Sequence, residues 1–259
     1  MLKRSTLICA AMALAPCAAF AASPFDGNWK VSLSHIQLSK KPDVHVITAT
    51  SYTCSSCGPA YTVKADGTDQ KVAGHDYDAV AVTVTSTTVT VVGKLKGKTL
   101  FTSKDTISAD GKTITDDYTN SYGTQPIEFK STYTQVTPPA AGENAQSGSW
   151  VQSKVMSASD SALVETLGMT EDGFTFSQNG QSYNAKFDGK KYPITGDPTG
   201  TMVTLKKLGA SSVEESDYQN GKLVDVARMT VSADGKAVHV TDHNIRNDHT
   251  LRYTLDKQP

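Results

Sequence analysis

Apolar and polar residues alternate with a period of two along most of this chain, and no window of useful length shows the 3.6-residue period of an amphipathic helix. Val80, Val82 and Val84 interleave with Ala79, Ala81 and Thr83, and Val89 and Val91 interleave with Thr88 and Thr90. Leu223, Asp225, Ala227, Met229 and Val231 alternate with Val224, Val226, Arg228 and Thr230. Valine and threonine suit a pleated, half-buried surface. Turn signals separate the runs: Ala65-Asp66-Gly67, Leu95-Lys96-Gly97, Ala109-Asp110-Gly111, Gln219-Asn220-Gly221 and Ala233-Asp234-Gly235. Asp-Gly and Asn-Gly tolerate the positive φ angles of tight hairpins. Short strands joined by successive hairpins predict an all-β chain of antiparallel up-and-down barrels, in which closure removes exposed edges.

An internal repeat predicts two such barrels in tandem. Gly27-Asn28-Trp29 recurs as Gly148-Ser149-Trp150. Tyr52 through Gly67 matches Phe174 through Gly189 without a gap, with Tyr61, Lys64, Asp66 and Gly67 answered by Tyr183, Lys186, Asp188 and Gly189. Thr106-Ile107-Ser108-Ala109-Asp110-Gly111-Lys112 matches Thr230-Val231-Ser232-Ala233-Asp234-Gly235-Lys236. The expected domains are residues 24–136 and 148–258, joined by residues 137–147, a small, polar, Pro- and Gly-containing segment with the composition of an exposed linker.

The first residues change the picture of where the chain works. Lys3 and Arg4, an apolar run from Leu7 to Leu14 and the small residues around Ala19-Phe20-Ala21 read as a secretory signal peptide over residues 1–21. The expectation is a periplasmic or secreted protein with no membrane insertion, since no later segment approaches the roughly 20 apolar residues of a membrane helix. The formal net charge is −1, with acids and bases interspersed, which argues against a nucleic-acid partner. Cys54 and Cys57 remain after cleavage and are expected to form a disulfide in an oxidising compartment. A redox-active pair would stand before a helix, whereas the flanks here are strand-like and the second copy has Phe176 and Asn179 at these positions.

Phe25-Asp26-Gly27-Asn28-Trp29-Lys30 resembles the opening of the calycins, which include lipocalins, fatty-acid-binding proteins and avidins. Both halves are also similar to an uncharacterised family of exported bacterial proteins with tandem lipocalin-like repeats, through elements such as Tyr183-Asn184-Ala185-Lys186-Phe187-Asp188-Gly189 and Met229 to Lys236. The calycin resemblance implies that Trp29 and Trp150 each close one barrel end. It also implies that a basic residue of the last strand crosses each indole, Lys130 for Trp29 and Arg252 for Trp150.

Candidate chemistry is sparse. No nucleophile elbow, phosphate loop or dinucleotide fingerprint stands in a fitting context, so the chain reads as a non-enzyme. His239 and His243 would lie about 13 Å apart on a strand, too far to share a metal, and no metal or cofactor is expected. The second copy carries polar residues that the first lacks: Glu214, Glu215 and Asp217 on one strand, and Asp225 and Arg228 on the next. An inward Arg228 beside Glu215, Asp217 and Tyr183 would suit a ligand carboxylate, while an outward Arg228 would form only a solvated cross-strand ion pair. The expected function is an exported carrier of a small amphipathic or acidic ligand. The alternative is a structural or interaction protein of the cell envelope with filled barrels. Oligomeric state is not legible.

Overall fold

The computed structural model describes residues 23–259, and the expected signal peptide lies outside them. Twenty strands account for nearly all of the regular structure among the described residues. They are β1 (Gly27–Val31), β2 (Asp43–Ile47), β3 (Ser51–Cys54), β4 (Tyr61–Lys64), β5 (Gln70–Lys71), β6 (Ala79–Val84) and β7 (Thr88–Leu95). Then come β8 (Lys98–Ile107), β9 (Thr113–Asn120), β10 (Ile127–Thr137), β11 (Gly148–Ala158), β12 (Val164–Met169), β13 (Gly173–Gln178) and β14 (Gln181–Lys186). The last are β15 (Tyr192–Pro193), β16 (Met202–Gly209), β17 (Ser212–Gln219), β18 (Lys222–Val231), β19 (Ala237–Asn244) and β20 (His249–Lys257).

The strands form two antiparallel ten-stranded sheets, each curled into a nearly closed barrel. The first barrel has the order β4-β3-β2-β11-β10-β9-β8-β7-β6-β5, and the second β14-β13-β12-β1-β20-β19-β18-β17-β16-β15. At the first seam the Gly67 N–H donates to the Val82 carbonyl at 2.8 Å. At the second, Ser182 and Thr195 exchange backbone hydrogen bonds of 3.0 and 2.8 Å. The all-β expectation of two antiparallel barrels therefore holds.

The boundary between the barrels does not follow the boundary between the sequence copies. Strand β1, from the first copy, lies between β12 and β20 of the second barrel, with Trp29 opposite Glu165 and Lys257. Strand β11, from the second copy, lies between β10 and β2 of the first barrel, with Trp150 opposite Asp43. Each barrel thus takes its Trp-bearing strand from the other copy. The chain crosses between barrels at residues 32–42 and again at 159–163, where Asp160–Leu163 forms one helical turn. Residues 138–147 instead connect the adjacent strands β10 and β11 of one barrel.

That connection is also less exposed than its composition suggests. Gln146 and Ser147 are buried. Ser147 Oγ accepts from the Ile47 N–H at 2.8 Å and lies 3.1 Å from the Ile47 carbonyl, while Gln146 Nε2 donates to the Thr87 carbonyl at 3.1 Å. The segment folds over the end of the first barrel, where Ser147 satisfies the Ile47 N–H and Gln146 adds a second bond to a Thr87 carbonyl that already accepts from the Ile107 N–H. The Trp150 indole donates to the Gln146 carbonyl at 3.0 Å, and the Trp29 indole donates to the Phe25 carbonyl at 2.8 Å. Both bonds reach four residues back, so the two barrel ends are closed in the same way.

Local turn chemistry also matches between the halves. Asp110 accepts from Ser108 Oγ and the Lys112 N–H, and Asp234 accepts from Ser232 Oγ and the Lys236 N–H. At Asn220-Gly221 both residues have positive φ, 49° and 80°, as a two-residue hairpin requires.

Strand parity corrects the expected indole partners. Arg252 alternates with the inward Leu251 and Tyr253, so it points out, where its backbone bridges Gln37. It belongs to the second barrel, whereas Trp150 belongs to the first. Lys130 is likewise on an outer face, 2.8 Å from Asp117, while Trp29 lies in the other barrel. The cation over the Trp29 ring is Lys257, on the last strand, with its Nζ 5.2 Å from the ring centroid.

Candidate functional site

Alternation along the strands of the second barrel turns a group of acids inward. On β17, Glu215 and Asp217 share the face of buried Val213 and Gln219. On β18, Asp225 shares the face of buried Met229 and Val231, and lies directly opposite Asp217. Glu165 on β12 is only 8 % exposed. Asp242 on β19 shares the parity of buried Val238 and Val240. The Tyr183 hydroxyl donates to Glu215 Oε2. One oxygen each of Asp217 and Asp242 is buried without a hydrogen-bond partner among the described residues.

Like charges facing each other inside a barrel favour the protonated forms. Burial, with Asp242 adding to it, pushes the Glu165 carboxyl up to about 7. Burial raises Glu215, with Asp217 adding to it. Burial raises Asp217 and Asp225 as well, and in both cases Asp242 contributes.

The first barrel places its acids differently. Asp105 on β8 and Asp116 on β9 are directly opposed, and both carboxyls are raised chiefly by burial. Ser103 Oγ donates to Asp116 at 2.9 Å. Around them runs a chain of neighbouring rings through His45, Tyr52, Tyr61, His75, Tyr77, Phe101, Tyr118 and Phe129, with successive centroids 4.7 to 6.3 Å apart. Gly93 makes room for this belt, since a Cβ there would collide with the Phe101 ring. Burial lowers the affinity of His45 for a proton, partly offset by Asp43.

Two cavities open on these residues. One, of about 200 Å³, lies within the first barrel against Tyr52, Tyr77, Phe101, Asp105 and Trp150. The other, of about 390 Å³, lies between the barrels. Its first-barrel wall includes Tyr118, Phe129 and Val155, and its second-barrel wall includes Glu165, Asp242 and Tyr253. Leu33, Ile36 and Leu38, from one of the crossing segments, complete it. Asp116 and Tyr133 border both cavities. Among the described residues, no lysine or arginine lines either one.

Of the residues singled out from sequence, Glu215, Asp217 and Tyr183 come together inside the second barrel. Arg228 does not join them. It shares a face with Val224 and Val226, and that face is the outer one. Its Nε donates to Glu214 at 2.6 Å, and its side chain is 66 % exposed. Cys54 and Cys57 form a disulfide at the end of β3. Among the described residues, no three His, Cys, Asp or Glu side chains converge on a point suited to a metal ion.

Sequence reasoning missed Asp43, Asp105, Asp116, Glu165 and Asp242. Their signal is an acid at the apolar parity of a strand: Asp116 follows Ile114, Asp242 follows Val238 and Val240, and Glu165 precedes Leu167 and Met169. Comparison with family models, with curated proteins and with solved structures finds no match to the chain.

Proposed function

We propose that this chain is an exported, non-enzymatic binding protein that holds a small amphipathic ligand in the adjoining cavities of the first barrel and the inter-barrel space. The observation that carries this reading is the inter-barrel cavity of about 390 Å³, lined mainly by aliphatic and aromatic side chains with a few polar groups. That size and mixture are typical of small-molecule sites. Export rests on the signal-like residues 1–21 and agrees with the Cys54–Cys57 disulfide. An acidic ligand loses its motivation, because Arg228 lies outside the lumen.

The alternative, an interaction protein with filled barrels, draws support from the second barrel, where Phe25, Trp29 and Phe174 are fully buried in one continuous core. Native mass spectrometry of the protein purified from its own cell envelope tests the two readings. A co-purifying small molecule, displaced when the inter-barrel cavity is filled by Val155→Trp, supports the carrier. Protein of bare polypeptide mass favours the alternative.

A further inference from the structure

Every ionisable side chain lining the inter-barrel cavity, apart from tyrosines, is a carboxylic acid: Asp116 on one wall, Glu165 and Asp242 on the other. Surface acids find lysine or arginine partners, as Asp117 does in Lys130, but among the described residues these three have none. Glu165 is more than nine-tenths buried and makes no side-chain hydrogen bond among the described residues. One Asp242 oxygen is buried and equally unpartnered. Buried polar groups are ordinarily paired, so the Glu165 carboxyl on the cavity wall, with Asp242 beside it, awaits a donor.

The donor that fits is specific in kind. A carboxylate ligand would find no lysine or arginine among the residues that line this cavity. A bare metal ion needs several oxygens converging on one point, and no such trio occurs among the described residues. Tyr118, Tyr133, Phe129 and Tyr253 instead offer rings beside the acids, an environment that suits an organic cation. Leu33, Ile36 and Leu38 offer an apolar surface for the rest of such a molecule.

We infer that the inter-barrel cavity binds an organic ammonium ion with an apolar body, its nitrogen donating to Glu165 and Asp242 and its body lying against Leu33, Ile36 and Leu38. This rests on the reading of the cavity as a ligand site. The three ligands octylamine, octanol and octanoate share one apolar body and differ in the head group, so calorimetric titration of the folded protein separates the two ideas.

At neutral pH octylamine is expected to bind more than about tenfold tighter than octanol, with octanoate weakest, as a charge-assisted hydrogen bond implies. The variants Glu165→Gln and Asp242→Asn should each weaken octylamine by about tenfold and leave octanol within about twofold. Should either variant fail to fold, the ranking of the three ligands on the unaltered protein still decides the matter. Equal binding of all three ligands, or tighter binding of octanoate, overturns the cationic inference while the cavity remains a site for apolar bodies. No binding of any of the three overturns both.

Discussion

In the second barrel a single apolar core runs from Phe25 and Trp29 through Phe174, Val213 and Met229 to Leu255. In the first, the buried apolar residues divide into two clusters, one around Ile47, Val80 and Val89 and a small one of Ile107, Ile114 and Trp150, and the inner cavity borders both. The register explains the difference. Asp105 faces Asp116 where, in the equivalent layer of the second barrel, Met229 faces Val240. Farther along the same strands the assignment reverses: Gly93 faces Phe101 in the first barrel, and Asp217 faces Asp225 in the second. Two barrels with one strand order and one way of closing the end therefore carry their acid pairs at different depths. The layer next to the tryptophan is packed in one and polar in the other.

The largest expected effect is on the tryptophans. Trp29→Ala should cost about 3–5 kcal/mol, because the side chain is enclosed by a continuous core that cannot collapse onto the gap. Trp150→Ala should fall at or below the lower end of that range, since Trp150 already borders a cavity. Urea denaturation measures both. Hydrogen exchange adds a sharper test: Trp29→Ala should expose the amides of β12 and β20, not those of β2 to β10. Exposure of the latter set would break the strand exchange.

The period-two pattern, the Asp-Gly turns and the recurrence of Trp29 at Trp150 made the two barrels legible in the sequence. The exchange of β1 and β11 was not, because pairing between strands far apart in the chain leaves no trace in the local alternation of either strand. Residues 137–147 read as a linker because they are small, polar and contain Pro and Gly; the burial of Gln146 and Ser147 depends on backbone groups of Ile47 and Thr87 that no local window contains. The side that Arg228 takes was left open between an inward and an outward reading for a different reason. Val224 and Val226 made its face look internal, whereas the inward face carries Asp225, Ala227 and Met229. An acid at an apolar parity is a better pointer to the lumen here than a base among valines.

The acids provide the next largest effect, through pH. Glu165 titrates at about 7 in the folded chain and at about 4.3 when unfolded, so between those values the folded state holds more protons. Stability then falls as pH rises through this window and stays reduced above it. Glu215, Asp217, Asp225, Asp105 and Asp116 are raised and act in the same direction. The exposed turn acids Asp66, Asp110, Asp188 and Asp234 are lowered and act the opposite way at the acid end. The urea midpoint should therefore rise on going from about pH 9 to about pH 5. Glu165→Gln should stabilise the protein by about 1–3 kcal/mol at about pH 8 and by little at about pH 4. A midpoint that rises with pH across this range would contradict the burial of these acids as neutral groups.

A smaller difference concerns the disulfide. Cys54 and Cys57 pin the end of β3 in the first barrel, and Phe176 and Asn179 stand at the matching positions of the second. So short a loop gains about 2 kcal/mol at most from the link in the chain-entropy model. Replacing both cysteines with serine should lower stability in urea by no more than that and leave the second barrel's hydrogen exchange unchanged. Complete unfolding of the variant would show that the first barrel depends on the link far more than loop closure allows.

The smallest expected effect is at Arg228. Its guanidinium meets Glu214 on the outer face, largely in solvent, and exposed ion pairs of this kind contribute about 0.2–1 kcal/mol. Arg228→Leu should change stability by no more than that. It removes a charge but leaves the lumen untouched, so octylamine affinity should be unaltered. Glu215→Gln, one position along β17 from Glu214 but facing inward, should instead shift the pH profile of stability, because its carboxyl is raised by burial and bonded to Tyr183. The outward Arg228–Glu214 pair and the inward Glu215 would then differ in their response according to parity alone. If Arg228→Leu alters ligand binding, or if Glu215→Gln leaves the pH profile as it was, the assignment of inner and outer faces on β17 and β18 is reversed.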